Sequence, residues 1–141
     1  MIRPRIIPIL CLNSDGELIS TISFNKTTYI GDPLNAIAVY NNFSVDELGF
    51  LDIYASRQGR PFNLEVLKNI SNECKTPLFA GGGVNTLNHI EEILKNGAEK
   101  VVISSAIVGN PKFLEKATME FGTSSIIVCL DCIRLPNKRY Q

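Results

Sequence analysis

The chain has 141 residues, of which 45% are hydrophobic and 20% are charged, and its 14 basic and 14 acidic side chains cancel. This composition is typical of one ordinary globular domain, which we expect to span residues 1–141. A neutral balance provides no general attraction to nucleic acid or to an anionic membrane, and the apolar runs are shorter than the ~20 residues that a membrane helix needs.

Targeting signals and cysteine usage favour a cytoplasmic protein. The N-terminal segment is basic, but the apolar run after it is short and is interrupted by Pro8, so it matches a signal peptide poorly. Cys129 and Cys132 have the C-x-x-C spacing, yet they lie in an apolar strand pattern without a second pair of ligands. We therefore interpret them, together with Cys11 and Cys74, as reduced structural thiols, and we expect no metal site.

Strand patterns and helix patterns alternate along the chain. Five apolar segments of strand length are separated by four segments with apolar residues at helical spacing. A sixth segment, at 17–24, alternates only weakly and is predicted to form a small ribbon after a turn at 13–16. The five predicted strands are 6–13, 47–53, 77–80, 100–104 and 125–131.

The helix starts are marked by capping residues. Asp32, Asn63 and Thr86 stand at the N-cap position of the first three predicted helices. The first helix also has a proline directly after its cap, which is tolerated at the first helical position. The pair Asn110–Pro111 begins the fourth helix, which we expect to run to Phe121.

The order of these elements predicts an α/β fold with a parallel sheet and helical crossovers. A doubly wound sheet of five strands is the main alternative. A complete (β/α)₈ barrel needs about 250 residues, whereas we predict four strand–helix units, a fifth strand and a polar tail at 134–141. An internal repeat favours half of a TIM-type barrel plus one strand, an arrangement that leaves one edge of the sheet open.

The repeat relates the first and fifth predicted strands. Residues 6–13 read IIPILCLN and residues 126–133 read IIVCLDCI, so apolar character agrees at nearly every position. Each stretch is typical of a strand buried on both faces. The exception is near the carboxyl end, where Asp131 lies opposite Cys11, and catalytic side chains of parallel β/α proteins project from that end. The repeat predicts a two-fold site with an acid on one side and a thiol on the other.

Seven short motifs are spread along the chain. They are RIIP at 5–8, DG at 15–16, GDP at 31–33, DELGFLDIYAS at 46–56, PLFAGGG at 77–83, GAEKV at 97–101 and AIVGNP at 106–111. In this order and spacing they resemble the cyclase subunit of imidazole glycerol phosphate synthase, a (β/α)₈ enzyme of histidine biosynthesis. The resemblance extends over residues 5–133 and has no counterpart to the second half of that family, so it implies a related protein nearly twice as long.

The resemblance implies a lyase chemistry that depends on ammonia. In that family the cyclase receives ammonia from a glutaminase partner through the barrel, closes an imidazole ring and splits a ribulosyl-phosphate substrate, without a cofactor. Two aspartates at the ends of strands one and five act as general acid and base. Asp131 matches the second, whereas Cys11 occupies the position of the first, and a thiol has a reference pKa near ~8.5 against ~3.9 for an aspartate. Asp52, at the end of the second strand, also matches, and Ser20 replaces a lysine of the family.

A run of three glycines follows the third predicted strand, at Gly81, Gly82 and Gly83. Such a run most often forms a tight turn, but its bare N–H groups can also approach a phosphate. The resemblance favours the phosphate interpretation, because the family's phosphate-binding loops follow strands three and four. Ser104 and Ser105, after the fourth strand, take the place of the family's polar pair and are expected to join the same site.

Three charged residues, Arg5, Glu47 and Lys100, stand at the starts of predicted strands. Without the resemblance, a functional cluster and ordinary charges at strand ends are about equally good interpretations of these residues. The resemblance assigns them to the amino-terminal mouth of the barrel, where ammonia enters from the glutaminase. We expect neighbouring strands to bring the three side chains together.

Three functions remain open from the sequence. The first is the cyclase itself, working with a glutaminase. The second is a paralogue that passes ammonia to a sugar carboxyl group in surface-glycan assembly; such relatives resemble this chain in Pro8, in lacking the strand-one acid and in the segment 31–37. The third is a non-catalytic half barrel whose open edge pairs with a second copy. We expect Cys11 to be a buried, unreactive thiol and the lone histidine, His89, to lie on a solvated helix face.

Overall fold

The computed structural model describes residues 3–23, 25–43 and 45–132. These residues form an α/β fold, and the predicted tail at 134–141, together with Phe24 and Ile133 at the ends of the predicted ribbon and repeat, lies outside them. The strands are β1 (Ile9–Leu12), β2 (Leu18–Ile22), β3 (Lys26–Gly31), β4 (Leu48–Asp52), β5 (Leu78–Gly81), β6 (Lys100–Ile103) and β7 (Ile126–Val128). The α-helices are α1 (Pro33–Tyr40), α2 (Leu64–Glu73), α3 (Leu87–Lys95), α4 (Ser105–Gly109) and α5 (Pro111–Phe121), and a 3₁₀ turn at Thr123–Ser125 precedes β7.

The sheet has the strand order β3-β2-β1-β4-β5-β6-β7. The strands β1, β4, β5, β6 and β7 are parallel and lie side by side in chain order. A doubly wound sheet would change direction at a switch point. This order therefore excludes the doubly wound alternative within the described residues and confirms the partial (β/α) barrel. β2 and β3 form an antiparallel hairpin beside β1, in the place of the predicted ribbon.

One hydrophobic core lies between the helices and one face of the sheet. Successive side chains of a strand point to opposite faces, so alternate strand residues such as Phe50, Ala80 and Val101 enter the core, where they are completely buried. Each helix adds apolar residues at helical spacing, which packs the helix against this face. The most deeply buried helix residues are Ile37, Leu67, Ile70, Ile90, Ile93 and Ala117.

The other face of the sheet is less well covered. Ile9 is 56% exposed, and Cys11, Leu51 and Ile127 are half-buried. The prediction that the first and fifth strands are buried on both faces is therefore wrong. The described helices contribute to the core on the opposite face, and a strand is fully buried only where both of its faces are covered.

The predicted helix caps are confirmed. The Asp32 carboxylate accepts the N–H of Leu34 at 2.7 Å, and the Thr86 hydroxyl accepts the N–H of His89 at 3.2 Å. Asn63 caps α2 by accepting the N–H groups of the second and third helical residues at 3.0 and 3.3 Å. These bonds satisfy donors that the first helical turn leaves without a partner.

A short helix between β6 and α5 was absent from the predicted elements. α4 has only five residues and ends before Asn110, so it is too short to show the 3.6-residue periodicity on which helix prediction depends. It carries Ser105 at its start and turns the chain from the carboxyl end of β6 toward α5. The serine pair therefore lies at a strand-to-helix turn, beside the end of β5.

We predict that Gly83 and Gly59 respond differently to alanine, although both have positive φ, +65° and +64°. A Cβ at Gly83 would overlap the carbonyl oxygen of Arg60, whereas a Cβ at Gly59 would meet nothing within 4 Å. Gly59→Ala should cost about 1–2 kcal/mol for the left-handed backbone alone. Gly83→Ala should cost about 1–3 kcal/mol more because the backbone must move.

Urea unfolding of the two variants measures this difference. Gly59→Ala is the matched control, because it has the same backbone strain without the steric overlap. Equal destabilisation by the two substitutions would contradict the close approach of the Gly83 and Arg60 loops.

Candidate functional site

Two charged side chains are buried in the described residues, Glu47 and Asp52, and they lie at opposite ends of β4. Glu47 directly precedes the strand and Asp52 is its last residue. The strands β1, β4, β5, β6 and β7 are parallel, so their starts lie together on one side of the sheet and their ends on the other. Glu47 marks the side of the strand starts, and Asp52 marks the side of the strand ends. We call the two sides the amino edge and the carboxyl edge.

At the amino edge, Glu47 forms ion pairs with two cations. Its Oε1 accepts hydrogen bonds from Nη2 of Arg5 and from Nζ of Lys100. Arg5 lies before β1, and Lys100 begins β6 and reaches Glu47 across β5. The Glu47 side chain is 8% exposed and that of Arg5 is 54% exposed, so the cluster extends from the protein interior to the surface. The structure thus brings together the three residues that the sequence predicted to meet.

The charge of Glu47 depends on these cations. Burial by itself would raise the pKa of the Glu47 carboxyl, but the hydrogen bonds and charges of Lys100 and Arg5 outweigh burial and lower that pKa. The carboxylate is therefore ionised at neutral pH, and the cluster as a whole carries one net positive charge. That charge faces solvent through the exposed guanidinium of Arg5.

At the carboxyl edge, Asp52 organises the loop between β4 and α2. Its Oδ1 accepts the backbone N–H groups of Tyr54 and Ala55, both at 3.0 Å, and its Oδ2 lies 2.7 Å from Nη1 of Arg60. Both oxygens are thus occupied. A catalytic proton transfer at Asp52 would have to break the ion pair with Arg60, whereas a structural role uses all of these bonds as they stand.

The glycine run and the serine pair surround a polar cavity of about 160 Å³ at this edge. Gly83 and Ser105 line it directly, and the Ser105 hydroxyl lies 2.9 Å from the hydroxyl of Ser56. Gly81 ends β5, and Ser104 lies between β6 and α4; neither residue lines the cavity. Gly82 lies against the backbone of Asp52, where a Cβ would not fit.

The thiol and the acid of the predicted two-fold site come from the first and the last of the five parallel strands. Cys11 is half-buried on β1, whereas Asp131 is exposed, three residues beyond the end of β7. The strands β4, β5 and β6 lie between β1 and β7. Burial raises the pKa of the Cys11 thiol, which is therefore protonated at neutral pH. The pKa of Cys129 is also raised, by burial and by the nearby charge of Asp131.

Sequence reasoning missed two contributors to the carboxyl edge, Arg60 and Ser56. Arg60 and Ser56 belong to the loop after β4 and line the cavity. Ser56 is the last residue of the motif at 46–56, but the motif does not indicate this role. Tyr54 contacts the β2–β3 hairpin, because its hydroxyl lies 2.6 Å from that of Thr27. Nothing local in the sequence pairs residues from these two segments. The one available signal is an acidic residue at the end of a strand, Asp52, followed by an arginine in the next loop, Arg60. This signal is weak.

Two further features are separate from the charged cluster and the polar cavity. A larger cavity of about 220 Å³, lined by Asp15, Asn69 and Val66 among others, lies between the β1–β2 turn and α2. His89 is half-buried, and its Nδ1 is shielded from solvent and has no hydrogen-bond partner among the described residues, so the expectation of a solvated histidine is wrong.

Residues 3–23, 25–43 and 45–132 were compared with the side-chain groups that ligate metals and with the helices that span membranes. No group of three or more His, Cys, Asp or Glu side chains is placed to ligate a metal ion, and the four cysteines are free thiols. Among the helices of these residues, none combines the length and the apolar character that crossing a bilayer requires.

Comparison with known proteins identifies the family. The family described as "Histidine biosynthesis protein" matches residues 5–140 of the chain. The chain belongs to this family. A relative from Leptospira borgpetersenii named "Putative imidazole glycerol phosphate synthase subunit HisF" is 41% identical over 142 residues. Relatives from Vibrio vulnificus and Pseudomonas aeruginosa, with the same description as subunits hisF3 and hisF2, are 44% and 40% identical over 131 and 132 residues.

The chain spans about half the length of these curated relatives. The alignments cover 100%, 93% and 94% of this chain but only 56%, 50% and 52% of the Leptospira, Vibrio and Pseudomonas proteins. This agrees with the open sheet, whose parallel part holds five strands in barrel order. The family assignment thus includes both edges of β4, together with the charged cluster and the polar cavity.

We predict that the contribution of Glu47 to stability depends on pH. Its pKa is lower in the folded than in the unfolded protein, so the ionised carboxylate stabilises the fold above the unfolded-state pKa, near ~4.3. That stabilisation is lost as pH falls through the folded-state pKa. Glu47→Gln should therefore cost about 2 kcal/mol at pH 7, and the cost should shrink below about pH 4.

Urea unfolding of wild type and variant between pH 3 and 7 tests this prediction. Glu91→Gln is the matched control, because Glu91 forms an exposed i,i+4 pair with Lys95 at 2.6 Å. Such pairs contribute at most about 0.5 kcal/mol. If the cost of Glu47→Gln is the same at pH 3 and pH 7, the ion pairs are not what the carboxylate contributes.

Proposed function

We propose that this chain is the cyclase-type subunit of an imidazole glycerol phosphate synthase, which receives ammonia from a glutaminase at the amino edge and binds a phosphorylated substrate at the carboxyl edge. The single observation that carries the proposal is the placement of two distinct polar sites at opposite ends of β4. The cluster of Arg5, Glu47 and Lys100 lies at one end, and the cavity with Gly83 and Ser105 lies at the other.

The amino edge suits a protein partner that delivers ammonia. Arg5 is half exposed and carries the net charge of the cluster, so it can pair with an acidic group on a docked subunit. Glu47 and Lys100 are less exposed, at 8% and 27% of their side chains. They would then line the passage behind the docked surface rather than form the contact itself.

The carboxyl edge suits the substrate. Parallel β/α proteins place their chemistry at this end of the strands, and the cavity there offers hydroxyl groups of Ser56 and Ser105 to an anionic group. Asp131 is the proposed acid–base residue, and its exposure leaves it free to exchange protons with solvent or substrate. Cys11 cannot take the place of a carboxylate, because its thiol remains protonated at neutral pH.

We predict that Cys11→Asp increases cyclase activity. The assay supplies ammonia and the ribulosyl-phosphate substrate and measures the release of imidazole glycerol phosphate. A positioned general acid or base contributes typically 10²- to 10⁴-fold, so the variant should exceed wild type by about 10²-fold. The C-terminal half of the Leptospira borgpetersenii relative is added in trans, since this chain matches 56% of that protein.

Cys11→Ser is the matched control, because it keeps the size and polarity of the side chain without adding a carboxylate. It should leave the rate at the level of wild type. Absence of product from Cys11→Asp, with folding verified by circular dichroism, would count against imidazole ring closure and in favour of another ammonia acceptor.

A second function is favoured by the same cysteine. The protein would pass ammonia to a different acceptor, a sugar carboxyl group in surface-glycan assembly, and would not need the acid of strand one. The protonated, half-buried thiol of Cys11 supports this alternative, since nothing around it lowers its pKa toward that of a catalytic nucleophile. Both functions require the glutaminase, so glutaminase binding tests what they share.

We predict that Arg5→Glu weakens binding to the glutaminase subunit at least tenfold. The substitution reverses the charge of the exposed member of the cluster while Glu47 keeps Lys100 as its partner. Rim charges change association mainly through electrostatic steering, so the effect should diminish as salt is raised. Surface plasmon resonance with the purified glutaminase subunit of an imidazole glycerol phosphate synthase measures the affinity at two salt concentrations.

Lys112→Glu is the control for a general effect of charge, because Lys112 is exposed in the first turn of α5, which follows the carboxyl end of β6 and so lies away from the amino edge. It should bind like wild type. Equal affinities of wild type and Arg5→Glu would remove the amino edge as the docking surface. Gel filtration of the same samples reports whether the chain self-associates through the open edge at β7.

A further inference from the structure

Asp46 is the first residue of the motif at 46–56, and neither the resemblance nor the two candidate sites gives it a role. It is half-buried and directly precedes Glu47. Within the described residues its carboxylate does not join the ion pairs of the charged cluster, because Arg5 and Lys100 both bind Glu47 instead. Asp46 binds the backbone of the segment that carries Arg5.

This contact consists of two hydrogen bonds between Asp46 and a single residue, Ile6. Oδ2 of Asp46 accepts the backbone N–H of Ile6 at 2.6 Å, and the N–H of Asp46 donates to the carbonyl oxygen of Ile6 at 2.9 Å. Both backbone polar groups of Ile6 are therefore paired with Asp46. Further along, the N–H of Gly49 donates to the carbonyl of Pro8 at 2.9 Å, and the parallel ladder of β1 and β4 then begins at Ile9.

The Asp46 carboxylate thus extends the pairing of the two segments beyond the end of the ladder. Ile6 is 63% exposed, so burial contributes little to holding it in place. Pro4 and Pro8 lack the N–H groups that a longer ladder would use. Hydrogen bonds therefore fix this segment, and a bond to a charged acceptor is stronger than one between neutral groups. Asp46 supplies that acceptor to the residue directly after Arg5.

The Arg5 side chain needs such an anchor because it is long and 54% exposed. An exposed side chain that is held in one geometry loses conformational entropy, which offsets most of what an ion pair gains. A backbone that is already fixed leaves fewer torsion angles to order when the guanidinium of Arg5 donates to Oε1 of Glu47. The anchor at Ile6 therefore favours this ion pair.

We propose that Asp46 is a positioning residue, which holds the backbone at Ile6 so that the guanidinium of Arg5 stays on Glu47. The consequence rests on the proposed function, in which Arg5 is the exposed cation that meets the glutaminase. Asp46 then affects the docking surface through Arg5. The competing explanation is a direct effect of the Asp46 charge on Glu47. The two explanations differ in sign, because removing a nearby negative charge lowers the pKa of a carboxyl group, whereas losing a cation raises that pKa.

The test is the pKa of the Glu47 carboxyl in the 141-residue chain, measured by NMR titration of its side-chain carbon. Asp46→Ala removes both the charge and the acceptor for the Ile6 N–H, whereas Asp46→Asn removes the charge but keeps an acceptor oxygen. The difference between the two variants therefore isolates the hydrogen bond. The pKa in Asp46→Ala should be higher than in Asp46→Asn by about 1, the lower end of the effect of a close cation. Equal pKa values would overturn the proposal.

A second background shows whether Asp46 acts through Arg5. When Arg5→Gln is already present, Asp46→Ala and Asp46→Asn should give the same pKa of Glu47, because the guanidinium that they displace is absent. A difference that persists in this background would overturn the proposal.

Hydrogen exchange of the wild type needs no variant and covers the case in which Asp46→Ala does not fold. The N–H of Ile6 should exchange at least about tenfold more slowly than in an unstructured peptide, although Ile6 is exposed. Exchange at the peptide rate would overturn the anchor and with it the proposal.

Glutaminase binding separates this proposal from the proposed function. In surface plasmon resonance, Asp46→Ala should bind the glutaminase subunit about fivefold more weakly than Asp46→Asn, less than the loss expected for Arg5→Glu because the cation remains. If the pKa values of Glu47 differ as expected but the affinities are equal, the positioning of Arg5 is supported and the amino edge fails as the docking surface. If the pKa values are equal, the positioning role is overturned whatever the affinities are.

Discussion

The buried carboxylates at the two ends of β4 are the interaction on which both candidate sites depend. A buried charge is tolerated only when cations and hydrogen bonds compensate it. Glu47 meets that requirement with Arg5, which precedes β1, and with Lys100 of β6. Asp52 meets it with Arg60 and with two N–H groups of its own loop. Glu47 therefore joins segments distant in sequence at the amino edge, and Asp52 orders the loop that follows its own strand at the carboxyl edge.

The topology explains why the two edges differ in character. Neighbouring parallel strands in chain order, joined by helical crossovers, place the helices on one face of the sheet. The loops that follow the strands then all emerge at the carboxyl edge, where the turns after β4, β5 and β6 enclose the polar cavity. The amino edge is formed by strand starts, so its charged side chains can be close without any long loop. The two edges therefore present surfaces of different kinds, a charged cluster at one and a polar cavity at the other.

The glycine at position 83 links the fold to the proposed chemistry. Its left-handed backbone lets the turn after β5 approach the carbonyl of Arg60, and this approach brings the β4–α2 loop and the glycine run to one cavity. The family motif marks the glycines but does not mark Arg60, which pairs with Asp52 in the neighbouring loop. The thiol of Cys11 lies elsewhere, on the less covered face of the sheet. Three strands lie between its own strand, β1, and β7, the strand before Asp131.

The sequence by itself determined the order of the five parallel strands and of the helices α1, α2, α3 and α5, the caps at Asp32, Asn63 and Thr86, and the meeting of Arg5, Glu47 and Lys100. These follow from local patterns and from the rule that parallel strand starts share an edge. Only the tertiary structure decided the incomplete burial of β1 and β7, the ion pair of Asp52 with Arg60, and the single cavity shared by Ser56, Gly83 and Ser105. The physical reason is that burial and pairing depend on which loops and layers pack together, and side chains 20 to 50 positions apart leave no periodic signal of that packing in the chain.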